Sequence, residues 1–98
     1  MDIPVACTLN QDEMADRRAL WQRIDADVVE RRRLDGRFEV VYAPTPEVER
    51  LLPLLVDAES VCCAFARWQL IRNLEGVVLA VSGPSDGVAA LGREFSIE

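Results

Sequence analysis

Histidine is absent from this 98-residue chain, and so is lysine. Losing histidine removes the commonest general base and the commonest transition-metal ligand together. Any catalysis or metal site must then use Cys, Asp, Glu, Tyr or the backbone. All eleven basic residues are arginine, a pattern of codon bias in a GC-rich genome rather than of physics. No apolar run approaches the ~20 residues of a membrane span. The start, Met1-Asp2-Ile3-Pro4-Val5, lacks the basic and apolar regions of a signal peptide. A cytoplasmic chain without membrane contact is expected. The net charge of −6 argues against a nucleic-acid surface, which needs a basic face. Arg31-Arg32-Arg33 is the only basic run, and it reads as the C-terminal turn of a helix, where cations suit the dipole. Three cysteines are an odd number, which does not suggest a disulfide framework.

The length supports one domain over residues 1–98, long enough to bury roughly two-thirds of its unfolded surface. Asn10 with Glu13 reads as a variant capping box, with Thr8 and Gln11 as an alternative start. Met14, Trp21 and Val28, with Arg17, Leu20 and Ile24, form a stripe of helical period. The spacing predicts one helix ending near Arg33, with Asp35-Gly36 as its stop. Such a helix is about 35 Å long, more than a domain of this size needs, which implies a homodimer contact along it. Arg37 to Ala43 alternates as a half-buried strand, Phe38, Val40 and Tyr42 inward. Thr45 and Pro46 start a second helix whose apolar face is Val48, Leu51, Leu55, Ala58 and Cys62, interrupted by Pro53. From Phe65 or Arg67 the period changes to two. Asn73 to Gly76 reads as a turn and Val77 to Ser82 as a strand apolar on both faces, either central or covered. Ser85 caps a last helix through Val88, Leu91 and Phe95. No internal repeat is visible. The expected fold is α+β, a small three-stranded sheet with helices mainly on one face, in the order α-β-α-β-β-α. A crossover makes the strands flanking the second helix a parallel pair.

One segment asks for chemistry. Glu59 precedes Cys62 and Cys63 by three and four residues, so a carboxylate and two thiols share one helix end. Cys62 follows the apolar face, which points at least one thiol into the core. Cys7 can join them if the first two helices pack side by side. Three thiolates suit soft ions such as Hg(II), As(III) or Cd(II), with Glu59 as a fourth ligand or proton acceptor. Adjacent cysteines diverge by about 100° on a regular helix, so sharing an ion requires the helix to unwind nearby, as the change of period at Phe65 allows. A free cysteine is also among the most buried residue types, and Cys-Cys is not the Cys-x-x-Cys spacing of zinc sites. Glu59 reads equally as an exposed carboxylate or a partner of Arg67. Arg17 and Trp21, four apart, suggest either an anion clamp or a core edge with a snorkelling arginine.

Ala6-Cys7-Thr8-Leu9, Glu13, Arg17-Arg18, Trp21 and Glu59-x-x-Cys62-Cys63-x-Phe65 together resemble a family of small actinobacterial-type domains. These occur alone or as C-terminal extensions of MerR-type regulators. The resemblance covers nearly the whole chain and departs from the pattern at Pro53, Ala64 and Ala66. Regulators of that type sense thiophilic metals or small effectors, so the resemblance implies a stand-alone, effector-binding thiol domain. The readings are therefore a soft metal or metalloid site at Cys7, Cys62, Cys63 and Glu59, an interaction or dimerisation module with structural cysteines, and a redox switch pairing Cys7 with Cys62 or Cys63. Enzyme chemistry has the least support, since nothing arranges a base beside a cysteine nucleophile.

Overall fold

The computed structural model describes residues 11–95 and Ile97, without the side chains of residues 11–14 and Cys62. The Asn10 cap and Cys7 therefore lie outside the described residues. The elements run α1 (Gln11–Asp25), β1 (Val28–Leu34), β2 (Arg37–Tyr42), α2 (Pro46–Cys62), β3 (Arg67–Asn73), β4 (Gly76–Ser82) and α3 (Ser85–Glu94). The class is α+β, as expected.

The sheet has four strands rather than three, in the order β1-β2-β4-β3, and the element order is α-β-β-α-β-β-α. The difference lies in the first expected helix. It stops at Asp25, and the residues expected to continue it form β1. The Val28-Val29 pair is β-branched and favours a strand. Asp35-Gly36 is a two-residue hairpin turn, Gly36 sitting at φ 76°, so it reverses the chain into β2 instead of closing a helix. Arg31, Arg32 and Arg33 thus pair across to Val40, Glu39 and Phe38 and do not serve a helix dipole. The 15-residue α1 removes the overlong helix on which a dimer contact was argued.

All ladders are antiparallel. The strands flanking α2, β2 and β3, are not the expected parallel pair, because β4 lies between them. Phe38, Val40 and Tyr42 of β2 face the same way as Val77, Leu79 and Val81 of β4. They join one core cluster with Ile24 of α1, five residues of α2, and Val88 and Leu91 of α3. The helices accordingly pack on that face. β4 is buried from Gly76 to Val81, and of the two expectations for this apolar strand, central or covered, it is central in the sheet.

α2 begins as the sequence implies. Thr45 caps it by accepting from the Val48 amide at 3.2 Å, and donates its own hydroxyl proton to Asp27 at 3.0 Å. The helix runs through Pro53. At α3 the cap is Pro84, with no side-chain hydrogen bond, and Ser85 is the first helical residue; a hydroxyl one position too late cannot cap.

The register contains a symmetry. Val40 pairs with Leu79, and the neighbouring pairs run outward on both sides as Phe38–Val81 and Tyr42–Val77. The starts of β1 and β3, of β2 and β4, and of α2 and α3 are each as far apart in sequence as Val40 is from Leu79. The chain from β1 to α3 is two ββα units about a pseudo-two-fold axis through the middle of the sheet. Within the aligned units only Arg33 with Arg72 and Leu52 with Leu91 are identical.

The two hairpin glycines differ in a testable way. A Cβ on Gly36 meets nothing within 4 Å, whereas one on Gly76, at φ 129°, falls 2.3 Å from the Tyr42 carbonyl oxygen. Gly36→Ala should cost about 1 kcal/mol of backbone strain, lowering Tm by about 5 °C. Gly76→Ala adds a backbone collision and should cost at least about 2 kcal/mol, or about 10 °C. Calorimetric melting of the two variants measures both, and equal losses would contradict the register at Tyr42.

Candidate functional site

α2 delivers the chemistry at its last turn. The helix ends at Cys62, and Cys63 is the C-cap at φ −115°, ψ 61°, its amide donating to the Glu59 carbonyl. The helix therefore releases its geometry between the two cysteines, as sharing an ion would require. Cys63 is the buried thiol, 6% exposed, and belongs to the core cluster. The expectation that Cys62 points inward concerns a side chain outside the described ones.

Glu59 is neither an exposed carboxylate nor a partner of Arg67. The Cys63 thiol donates to its Oε1 at 3.7 Å. The Trp21 indole Nε1 donates to its Oε2 at 3.0 Å, and Arg17 Nε stands 3.6 Å from the same oxygen. The anion that Arg17 and Trp21 clamp is the protein's own. Their spacing of four residues puts both on the side of α1 that meets α2. With Arg17 at 12% and Glu59 at 15% exposure, the pair is largely out of water, where removing one partner of a buried pair costs about 3–5 kcal/mol.

A second indole holds the other side of the site. Trp68, near the start of β3, donates its Nε1 to the Cys63 carbonyl at 3.2 Å. Both tryptophans rest on Phe95, which meets Trp21 edge-on at 4.9 Å and Trp68 at 6.4 Å between ring centroids. Trp68 and Phe95 were missed by sequence reasoning, because they lie on a strand and at a distant helix end. The one available signal was that buried tryptophans need an acceptor, and the chain has two of them.

Burial pushes the Cys63 thiol up to about 11 from an ordinary 9.0, reinforced by the Glu59 charge and its hydrogen bond and opposed by Arg17. The thiol is protonated at neutral pH, which is unlike an activated nucleophile. Among the described residues no group of three or more His, Cys, Asp or Glu side chains stands ready to hold a metal ion. Of the four sequence-derived ligands, the structure brings Glu59 and Cys63 together. Cys7 and the Cys62 thiol lie outside the described residues. Among those residues no helix is long and apolar enough to cross a membrane. Comparison of the chain with family models, curated proteins and solved structures finds no match in any of the three.

The raised pKa fixes a sign. Folding holds the thiol proton more tightly than the unfolded chain does, so this stabilisation is complete below pH 9.0 and is lost as pH rises toward about 11. With Cys7→Ser and Cys62→Ser leaving one thiol, the pH profile of Cys63 alkylation by iodoacetamide should have its midpoint near 11. Adding Glu59→Gln should bring that midpoint down toward 9.0. An unshifted profile in the Glu59→Gln variant would remove the carboxylate from the account.

Proposed function

We propose that this chain is a small effector-binding domain that takes a thiophilic heavy metal or metalloid ion through cysteine thiolates. Cys63 is the inner ligand, Cys62 and Cys7 complete the thiol set, and Glu59 accepts the thiol proton or serves as an oxygen ligand. The supporting observation is the Cys63 thiol donating to a carboxylate that Arg17 and Trp21 hold in place at an ended helix. A structural cysteine needs no such arrangement; it packs as a small hydrophobe. A soft ion is favoured over a hard one because sulfur is the donor that the site buries. The likeness of the Cys7 and Glu59-x-x-Cys62-Cys63 segments to stand-alone relatives of MerR-type extensions points to the same class of effector. The competing module reading drew on a long helix and on an apolar strand. The helix has 15 residues and the strand is interior, so neither recommends that reading.

The test is titration of the reduced protein with Hg(II) and, separately, As(III), following thiolate-to-metal absorption in the ultraviolet and loss of titratable thiol. One ion per chain is expected, with affinity falling at least about 100-fold in Cys63→Ser and also falling in Cys62→Ser. A Cys63→Ser protein that binds as the parent does would overturn the proposal. Both tryptophans donate into the site, so their emission should change in step with the absorption.

A further inference from the structure

A cavity of ≈ 70 Å³ lies where the two ββα units meet, between α3 and the tip of the β1–β2 hairpin. Phe38, Val88, Ala89, Gly92 and Ile97 supply its apolar wall, and Arg33 and Arg37 stand on the hairpin side. We propose that this slot binds a small aliphatic monocarboxylate, its carboxylate on Arg33 and its chain against Phe38, Val88 and Ile97.

The pseudo-symmetry carries the argument. Arg72 and Arg33 occupy equivalent register positions, opposite Val77 and Phe38 of the paired strands. In the β3–β4–α2 arrangement Arg72 binds Glu49 of α2 twice, at 3.1 and 2.7 Å. The residue of α3 equivalent to Glu49 is Val88, which lines the slot and is 8% exposed. The helix that supplies a carboxylate to one arginine thus presents an apolar wall to the other. Among the described residues no Asp or Glu lies within ion-pair distance of Arg33, whereas Arg37 has Glu39 at 3.2 Å and Arg32 is held by Glu30, Glu39 and Glu75. Beside Arg33 a ligand carboxylate takes the place that Glu49 fills beside Arg72.

Size narrows the class. The cavity has the volume of about two waters, enough for a chain of two or three carbons behind a carboxylate at the mouth. Propionate and butyrate fit this description. An inorganic anion satisfies the arginine and leaves the apolar wall wet. The slot exists because α3 is built of small residues on this side. A Cβ added at Gly92 meets Ile97 and Phe38 at 3.6–3.7 Å, so alanine enters without collision and takes up part of the space.

Sodium propionate and butyrate are titrated into the whole protein, with inorganic phosphate as the control, by amide NMR shifts and by Tm. Saturable one-to-one binding is expected, with shifts centred on Arg33, Phe38 and Gly92. Arg33→Gln removes a charged hydrogen-bond partner at an exposed position and should weaken butyrate about tenfold or more. Gly92→Ala should raise the ligand-free Tm, as alanine suits a helix interior better than glycine, and should abolish butyrate binding. Absence of saturable binding, phosphate binding as tightly as butyrate, or butyrate binding that survives both substitutions would each overturn the proposal. Hg(II) titration of the same variants should match the parent, because the slot and the Cys63 site use no residue in common.

Discussion

The pairing of β2 with β4 is the constraint on which the rest depends. Both strands are buried along nearly their whole length, which only central strands permit. One face carries Phe38, Val40, Tyr42, Val77, Leu79 and Val81 into the core. Each such side chain is worth about 1.5–3 kcal/mol once fully buried, so this face alone outweighs any single ion pair on the surface. The register that buries them also fixes where the hairpins turn and where α2 and α3 are launched. A slip of one residue exchanges the two faces of the strand, placing Glu39 and Val41 where Phe38 and Val40 belong.

The Glu59 cluster is the second constraint, and it is polar. The contact between α1 and α2 includes a carboxylate satisfied from three directions, by a thiol, an indole and a guanidinium. An apolar residue of similar size at position 59 serves helix packing as well, since replacing buried ion pairs by hydrophobic groups is often neutral or stabilising. Packing of α1 on α2 therefore does not by itself require a carboxylate here. Glu59 stands against Cys63, the C-cap of α2, and this is the arrangement on which the proposed ion site rests.

Much of this was legible in the residues. Alternation marked β2 as a strand but not as the half-buried one expected, since Glu39 and Val41 are buried along with Phe38, Val40 and Tyr42; Thr45-Pro46 marked the start of α2, and a change of period marked β3. Glu59 and Cys63 were recognisable as neighbours at one helix end. The misreading of β1 has a physical cause. Trp21 and Val28 are seven apart, a spacing that a helix face and a helix-to-strand junction can both produce. Asp35-Gly36 serves as a helix stop as readily as a hairpin turn. Deciding between them depends on whether Val40 and Phe38 have a partner strand, which is a tertiary fact. The clamp on Glu59 was half visible: Arg17 and Trp21 read either as an anion clamp or as a core edge, and their partner is 38 residues away from Trp21, beyond any local pattern.

The repeat was not legible at all, and the reason bears on function. Two units can share a backbone plan with almost no shared residues because binary pattern and turn placement specify the plan, leaving side chains free to diverge. Divergence then shows where the units have different tasks. α2 has 17 residues and α3 has 10, and the added length in α2 carries Glu59 and Cys62. At the matching place on α3, small residues leave a cavity beside Arg33, where α2 gives Arg72 a glutamate. A carboxylate at position 88 would give Arg33 the ion pair that Glu49 gives Arg72 across the two units. A surface ion pair is worth little, about 0–1 kcal/mol, so its loss is cheap. Leaving Arg33 without a carboxylate among the described residues therefore costs little stability, and keeps its guanidinium open to the ligand carboxylate proposed for the slot.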